Sequence, residues 1–450
     1  MAEKLDTIVA ISTPAGRGGI GVVRLSGPDA RHIAEKITGI VPRPRYAHHC
    51  RFLDRNQQLI DSGLAIFFPA PHSYTGEDVV ELHAHGSRII LDILVKESIT
   101  HGARLARPGE YTERAYLNGK IDLVQAEAVA DLIDSVSTSA ARSASRSLSG
   151  EFSSRLAGLL DEIIALRVQL EGMLDFPEED AGIPPESNLS LQIGQCIENL
   201  GAILQIARQG SVLREGVDIV ILGRPNVGKS TFLNRLAGRE TAIVTDIPGT
   251  TRDMIREQIL IDNIPVHVTD TAGLRETGNA VEQEGVRRAR TAAESADLIV
   301  LLRVQGENDT GDEVSMLPES DVGKTLVIYN KIDLENVPSG VQQQEGRATE
   351  IRLSAKTGEG MELFAGWLKD QLGVSNLGED LFMARTRHVA ALEKAIEQLS
   401  CARLLASDLH SPELVAEEMR LAQVSLGEIT GEFVPDDLLG EIFARFCIGK

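Results

Sequence analysis

The residues best placed to do chemistry are GRPNVGKS, positions 223–230 of a 450-residue chain. The stretch is a complete G-x-x-x-x-G-K-[ST] pattern. It follows an apolar run, Val217 to Leu222, that reads as a strand, and it opens a helical stretch from Thr231 to Leu236. Its glycines let the backbone of Asn226, Val227, Gly228, Lys229, Ser230 and Thr231 close around phosphates at a helix N-terminus, whose dipole favours anions. Lys229 would pair with the β- and γ-phosphates, and Ser230 would ligate Mg²⁺. Three more motifs fall at strand ends. DTAG supplies Asp270, Thr271, Ala272 and Gly273, with Asp270 holding Mg²⁺ through water and the Gly273 N–H on the γ-phosphate. NKID supplies Asn330, Lys331 and Asp333. A carboxylate at Asp333 can accept from both guanine N1–H and the exocyclic amine, a donor pair that adenine lacks. SAK (Ser354, Ala355, Lys356) would close over the base. The four together predict GTP as substrate. The residue after DTAG is Leu274, which cannot orient a water as the usual glutamine does. Some other group must do so if the nucleotide is hydrolysed.

The elements that carry these motifs alternate. VDIVIL, VHVTD, LIVLL, TLVIYN and EIRLS, each followed by loop or helix, predict a doubly wound α/β domain with a mainly parallel sheet over residues 216–373. Residues 1–118 mix β-rich runs (TIVAI, GVVRL, LAIFF, VVELH) with turns and a few helical stretches, an α+β module. Residues 119–210 read as helical, with Leu156, Leu159, Leu160, Ile163, Leu166, Leu170 and Met173 on one stripe and a Pro/Gly/acidic break at 176–188. Residues 380–450 are helical again. The expected architecture is multidomain: an α+β module, then a helical domain into which the P-loop domain is inserted, with two separate helical domains as the alternative. A second glycine-rich match, GRGGIG (16–21), is followed by VVRL, a strand pattern, and so is not a dinucleotide fingerprint.

The net charge, 45 basic minus 66 acidic residues, is −21. Such a chain repels nucleic acid overall, so any RNA must meet a local basic patch or a partner's surface. No apolar run reaches the ~18 residues of a membrane span, the start lacks a signal-peptide pattern, and four scattered cysteines form no CxxC pair. These point to a cytoplasmic, reduced protein without a zinc site or a disulfide framework.

The motifs, with TDIPGTTRD (245–253), DTAGLRE (270–276), SAKTGEG (354–360), TPAGRGGIGVVRLSG (13–27), YTGEDVVELHAHG (74–86), RPGEYTERAYLNGKIDLVQAEAV (107–129) and the terminal FCIGK (446–450), resemble the bacterial MnmE (TrmE) tRNA-modification GTPases along the whole chain. That family belongs to the TrmE-Era-Era-like-YihA-Septin-like GTPase class. One departure is Ser87, where the pattern has a second glycine after Gly86. The resemblance implies a potassium ion beside the phosphates, with the Asn226 side chain, the backbone carbonyls of Thr245 and Ile247 and a group at Thr250 as ligands. The loop Thr245, Asp246, Ile247, Pro248, Gly249, Thr250 and Thr251 would line the nucleotide, with Thr251 on Mg²⁺. A fixed cation there neutralises the charge that an arginine finger would, an effect of roughly 10³–10⁵ in rate. The plain alternative for Asn226 is an ordinary loop residue. Glu282 would orient the water, with Glu284 its rival and a solvated helix face the plain alternative. Arg252 and Arg275 are candidate arginine fingers.

The resemblance further implies that the first module binds 5-formyl- or methylene-tetrahydrofolate through Arg24, Glu81, Lys120 and Lys450, and forms a homodimer. Without it, Arg24, Glu81 and Lys120 would read as surface charges. Cys447 is either a small buried hydrophobe or a reactive thiol in a mobile tail, its pKa lowered by the ammonium of Lys450. The implied function is a potassium-dependent GTP hydrolase. With a flavin-dependent partner (MnmG, or GidA, carrying FAD, in a heterotetramer-type complex), it adds a carboxymethylaminomethyl or aminomethyl group to C5 of the wobble uridine of certain tRNAs. Two other readings stay open: a regulatory GTPase switch in ribosome or RNA maturation, and a scaffold that binds nucleotide without turnover.

Overall fold

A computed structural model describes residues 6–175, 186–239, 256–270, 291, 293–306, 323–343, 347–374, 381–408, 412–432, 436–444, 446–447 and 449. The chain divides into two compact units. One comprises Met1–Ala130, Leu148–Leu189 and Cys401–Lys450, the other Asp131–Ser147 and Ser190–Ser400.

The first unit is built on a six-stranded sheet: β1 (Ile8–Ile11), β2 (Gly18–Ser26), β3 (His48–Leu53), β4 (Leu59–Phe68), β5 (Val79–Gly86) and β6 (Arg104–Leu105), in the order β3-β4-β5-β2-β1-β6. Among these six strands β1 and β6 pair in parallel and the other neighbours antiparallel. Alternation decides the faces. Val23, Leu25, Phe52, Ala65, Phe67, Val80 and Leu82 point to one side, where α1 (Ala30–Thr38) and α2 (Arg88–Thr100) bury Ile33, Ile37, Leu91 and Leu94 against them. The opposite side of β1 packs Ile8 and Ala10 on Ala106 and on Tyr111 of α3 (Glu110–Leu117). β3 escapes the sequence reading because RYAHHCRFL is mostly polar. Its alternation is real, however, with Cys50 and Phe52 inward and His49 and Arg51 outward. β2 begins at Gly18, inside GRGGIG, so the false dinucleotide motif does open a strand. Ser87 adopts an extended φ of −91° ahead of α2, where a glycine is not needed.

Helices follow: α4 (Leu123–Asp134), α5 (Thr138–Leu148), α6 (Glu151–Asp175) and α7 (Glu186–Glu215). On α6, Leu156, Leu159, Ile163, Leu166 and Leu170 are buried, as their spacing predicts. α6 packs on the later helix α11, Pro412–Thr430, with Arg167 donating to Gln423 at 2.5 Å. α7 begins at Glu186, within the stretch read as a break, and runs past the expected end at residue 210. Gly210, inside the helix, marks a close approach, since a Cβ there would overlap the Phe382 carbonyl. The helix ends at Gly216, left-handed at φ +74°, directly before β7.

The second unit holds a seven-stranded sheet in the order β12-β13-β11-β10-β7-β9-β8, from β7 (Val217–Leu222), β8 (Arg256–Ile261), β9 (Ile264–Asp270), β10 (Leu298–Val304), β11 (Thr325–Asn330), β12 (Gly340–Gln342) and β13 (Thr349–Arg352). The five central strands are parallel, and the two edge strands, both missed in the sequence, are antiparallel. The innermost strands β10 and β11 carry near-continuous apolar runs, with 298–302 and 325–328 buried, as strands covered on both faces do. α8 (Lys229–Arg239) and α9 (Met361–Gln371) pack Phe232 edge-on to Phe364, at 5.3 Å between ring centroids. α10 (Thr386–Asp408), α11 and α12 (Asp436–Ala444) complete the described helices. Among the described residues no helix is long and apolar enough to cross a membrane.

Candidate functional site: a guanine-nucleotide pocket and a polar face of the N-terminal sheet

The P-loop joins β7 to α8 at the carboxyl ends of the parallel strands, where open α/β sheets bind ligands. Asn226 has φ +64°, a left-handed conformation that asparagine tolerates. Gly228 has φ +101°, and a Cβ there would overlap the carboxamide nitrogen of Asn330. The loop therefore needs glycine at this position on both counts. Lys229 is buried, and its ammonium donates to the carbonyls of Gly223 (2.6 Å) and Arg224 (2.9 Å). The loop thus holds a cation within the turn that would cradle phosphates.

Asn330 ties three motifs together. Its Nδ2 donates to the Val227 carbonyl of the P-loop at 2.8 Å. Its Oδ1 accepts from the Lys331 N–H at 2.8 Å and from the Ala355 N–H of the SAK loop at 2.9 Å. Lys331 is left-handed at φ +67° and sends its ammonium to the Asn226 carbonyl at 2.6 Å. Ser354 Oγ donates to Asp333 Oδ1 at 2.6 Å, fixing one carboxylate oxygen while the other stays open to a base. One residue was not anticipated. Arg235 of α8 donates from Nε to the Ala355 carbonyl at 3.1 Å and from a terminal nitrogen to the Lys356 carbonyl, holding the SAK loop to the P-loop helix. Its sequence position marks it only as a helical arginine, since its partners lie about 120 residues away.

The candidate cation ligands fit in part. Asn226 and Ser230 are exposed, and among the described residues nothing engages their side chains, so an amide oxygen and a hydroxyl are available to K⁺ and Mg²⁺. Thr245, Asp246, Ile247, Pro248, Gly249, Thr250, Thr251, Thr271, Ala272, Gly273, Leu274, Arg252, Arg275, Glu282, Glu284 and Lys450 lie outside the described residues, and Asp270 is described as backbone only.

In the first unit, Arg24 and Glu81 face each other across β2 and β5. Arg24 donates to Glu81 Oε1 from Nε (3.0 Å) and Nη2 (2.8 Å), and the guanidinium lies over the rings of Tyr74 (5.6 Å) and Tyr111 (5.7 Å). Glu81 Oε2 also meets His83 Nε2 at 3.2 Å. Burial raises the Tyr74 hydroxyl above its ordinary pKa, so that phenol stays a neutral donor. A half-buried carboxylate, a guanidinium and two aromatic rings suit a flat heterocycle bearing N–H groups. Lys120 is exposed and packs its stem against Gly76. Cys447 is exposed, but the chain around it is seated. Its carbonyl accepts from the Gly109 N–H at 3.4 Å, and Gly449 lies so close to the Ile11 carbonyl that no side chain would fit. Phe443 and Phe446 anchor this segment on Leu123 and Tyr116. The tail is thus seated beside the N-terminal strands, where the sequence suggests a mobile end.

Two family models cover the chain: the GTP-binding protein TrmE N-terminus matches residues 7–120, and the MnmE helical domain matches residues 123–447. The tRNA modification GTPase MnmE of Nitrosococcus oceani is 50% identical over 447 residues, covering 99% of this chain and 97% of that protein. The protein of the same name from Neisseria meningitidis serogroup C is 50% identical over 454 residues, covering all of both. A solved structure, the G domain of the T. maritima FeoB iron transporter, is similar at 20% identity over 35% of this chain and 96% of that one. Its TM-score is 0.24, too low to carry an argument. Matched by both family models and half identical to full-length relatives, the chain belongs to the MnmE family of tRNA modification GTPases.

Proposed function

We propose that the chain is a potassium-dependent, Mg²⁺-requiring GTP hydrolase. With a flavin-dependent partner of the MnmG (GidA) type, which carries FAD, it installs an aminomethyl or carboxymethylaminomethyl group at C5 of the wobble uridine of certain tRNAs. The observation that carries the reading is the Asn330 junction, which draws the phosphate loop, the base-reading NKID turn and the SAK loop into one pocket. Lys229 and the P-loop backbone bind the phosphates, and Asp333 reads guanine. Ser230 and Thr251 would hold Mg²⁺. Asn226, with Thr245, Ile247 and Thr250, would hold K⁺. Bound there, the two cations would supply positive charge against the bond being broken. Glu282 would place the water through a bridging water, the task that Leu274 cannot perform.

In the first unit, Arg24, Glu81, Lys120 and Lys450 would hold a 5-formyl- or methylene-tetrahydrofolate, which supplies the added carbon. The carboxylate would meet the pterin N–H donors, and the cations the glutamate tail. The seating of Gly449 on Ile11, one residue from the strand partner of Arg24, supports a role for Cys447 at the same site. The domains are read as 1–118 for folate binding and homodimer formation, 119–210 with 380–450 as one helical domain, and 216–373 as the inserted GTPase, in a cytoplasmic protein. Steady-state GTP turnover tests the cation: it should rise at least tenfold in K⁺ over Na⁺, and Asn226→Ala should remove most of that difference. Equal rates in the two salts would exclude the potassium site.

A further inference from the structure

We propose that the outer edge of the N-terminal sheet, residues 43–55, grips the phosphate backbone of the tRNA. This rests on the reading of the chain as a tRNA-modification enzyme and supplies what that reading lacks, a basic surface on a chain of net charge −21. The segment RPRYAHHCRFLDR holds Arg43, Arg45, Arg51 and Arg55 against a single acid, Asp54, a local charge of 4 − 1 = +3 with no glutamate. All four arginines are exposed. Among the described residues none of the four pairs with a carboxylate, whereas Arg24, Arg104, Arg107 and Arg114 in the same unit all do. The nearby carboxylates are engaged elsewhere: Asp54 caps the Asn56 and Gln58 N–H groups, and Glu97 accepts from the Arg55 backbone.

The backbone presents these charges in a fixed array. Arg45 has φ +55° and is pinned by its N–H to the Phe67 carbonyl and by its guanidinium to the His72 carbonyl at 2.6 Å. β3 is the outermost strand of the sheet, and its alternation puts His49 and Arg51 on the face away from α1 and α2. Tyr46 is 56% exposed and is propped edge-on by His48 at 4.6 Å between centroids, a platform on which an unpaired base can stack. Cations beside an exposed aromatic ring make the footprint of single-stranded RNA contact. Charged residues on an edge strand also discourage strand-to-strand aggregation. That role accounts for His49 and Arg51 on β3, but not for Arg43, Arg45 and Tyr46, which precede the strand.

The test is tRNA binding by the full-length protein, with unmodified tRNA as probe over a range of salt. Arg43→Gln, Arg51→Gln and Arg55→Gln are combined, leaving the structurally engaged Arg45 in place. The triple variant should bind ~10-fold or more weakly at physiological salt. Its log–log salt slope should be shallower by about 2–3, one unit or slightly less per lost phosphate contact. Lysine at the three positions should restore most of the affinity, because a point charge suffices. GTP turnover without RNA should stay at the wild-type rate, which shows that the variant is folded. An unchanged affinity and slope would overturn the proposal. So would intact tRNA binding with lost binding of the flavin partner, which would give the surface to an acidic protein instead. Wild-type protein that binds no tRNA would overturn it as well. The modification reading is decided separately by nucleoside analysis of tRNA from cells lacking the protein.

Discussion

The two candidate sites are held in place by opposite means. Around the guanine-nucleotide pocket the organising group is a neutral carboxamide, Asn330, together with backbone carbonyls and N–H groups. Around the N-terminal site it is a web of ion pairs, running from the buried Glu110 and Arg114 to the half-exposed Asp6 and Arg104. Arg114 donates to the Asp6 carbonyl (2.8 Å), Asp6 Oδ1 (2.7 Å), Glu77 Oε1 (3.1 Å) and Glu110 Oε1 (3.2 Å). Arg104 meets Asp6 and Glu110 at 2.5 Å each, and Glu77 continues through Ser26 at 2.6 Å. Even the pocket's cationic supports, Lys331 and Arg235, bond to backbone carbonyls rather than to carboxylates, so among the described residues no ion pair within the scaffold competes for the phosphates or their cations. Beneath the N-terminal site ion pairs can serve, provided that every partner is satisfied.

The largest effect expected from this contrast is at Asn330. Asn330→Ala leaves the Val227 carbonyl and the Ala355 and Lys331 N–H groups without partners. Each such orphan costs about 1–3 kcal/mol, so GTP affinity should fall by at least ~10²-fold while the first unit is untouched. Isothermal titration with GDP checks this. A loss of less than about tenfold would mean that the three motifs are held together by something else.

Next comes the ion web. Glu110 is buried. Burial raises its pKa, but the hydrogen bonds from Arg104, the Arg107 N–H and Arg114 outweigh that and bring it down to about 2. Asp6 is likewise held below its ordinary range, chiefly by Arg104. Because the folded pKa lies below the unfolded one, the stability that Glu110 confers is complete above pH ~4.5. It is lost as pH falls from there toward 2, and amounts to about 3 kcal/mol. Glu110→Gln should destabilise the first unit by about 1–3 kcal/mol at neutral pH, because a neutral amide replaces the buried carboxylate that accepts from Arg104, Arg114 and the Arg107 N–H, while Asp6 and Glu77 still pair with the arginines. It should also flatten the acid limb of the melting curve and spare GTP affinity. A variant that melts like wild type at pH 7 would make the web ornamental.

The same contrast explains what could be read in advance. The nucleotide pocket was legible because its chemistry is local: Lys229 lies one residue from Gly228, and Asp333 three from Asn330. Glycine spacing and short runs fix the backbone there. Arg235 was not legible, because a helical arginine carries no mark of the loop it will hold. Nor was the web, where Asp6 meets Arg104 across 98 residues and Arg114 across 108. Those acids and bases are unremarkable until the sheet places β1 beside β6. Nor was the role of Gly210 legible, set as it is by the close approach of the Phe382 carbonyl about 170 residues away. β3 was missed because its outward residues are the arginine and histidine that distinguish it, and they mask the alternation of Cys50 and Phe52.

The smallest effect sharpens the comparison most. Ser354 donates to Asp333 Oδ1 at 2.6 Å and accepts from the Thr357 N–H at 3.2 Å, so a buried neutral hydroxyl steers the one carboxylate that the pocket uses for recognition. Ser354→Ala should cost about 1 kcal/mol, since water can replace the hydroxyl at a half-exposed carboxylate. GTP should bind roughly fivefold more weakly. The telling measurement is the ratio of GTP to inosine triphosphate affinity. Inosine lacks the exocyclic amine, so it draws on one Asp333 hydrogen bond where guanine draws on two. If Ser354 aims the carboxylate at both donors, the variant must weaken GTP more than inosine triphosphate and shrink the ratio. If both weaken equally, Ser354 supports the loop rather than the carboxylate. Base recognition would then rest on Asp333 and the backbone alone.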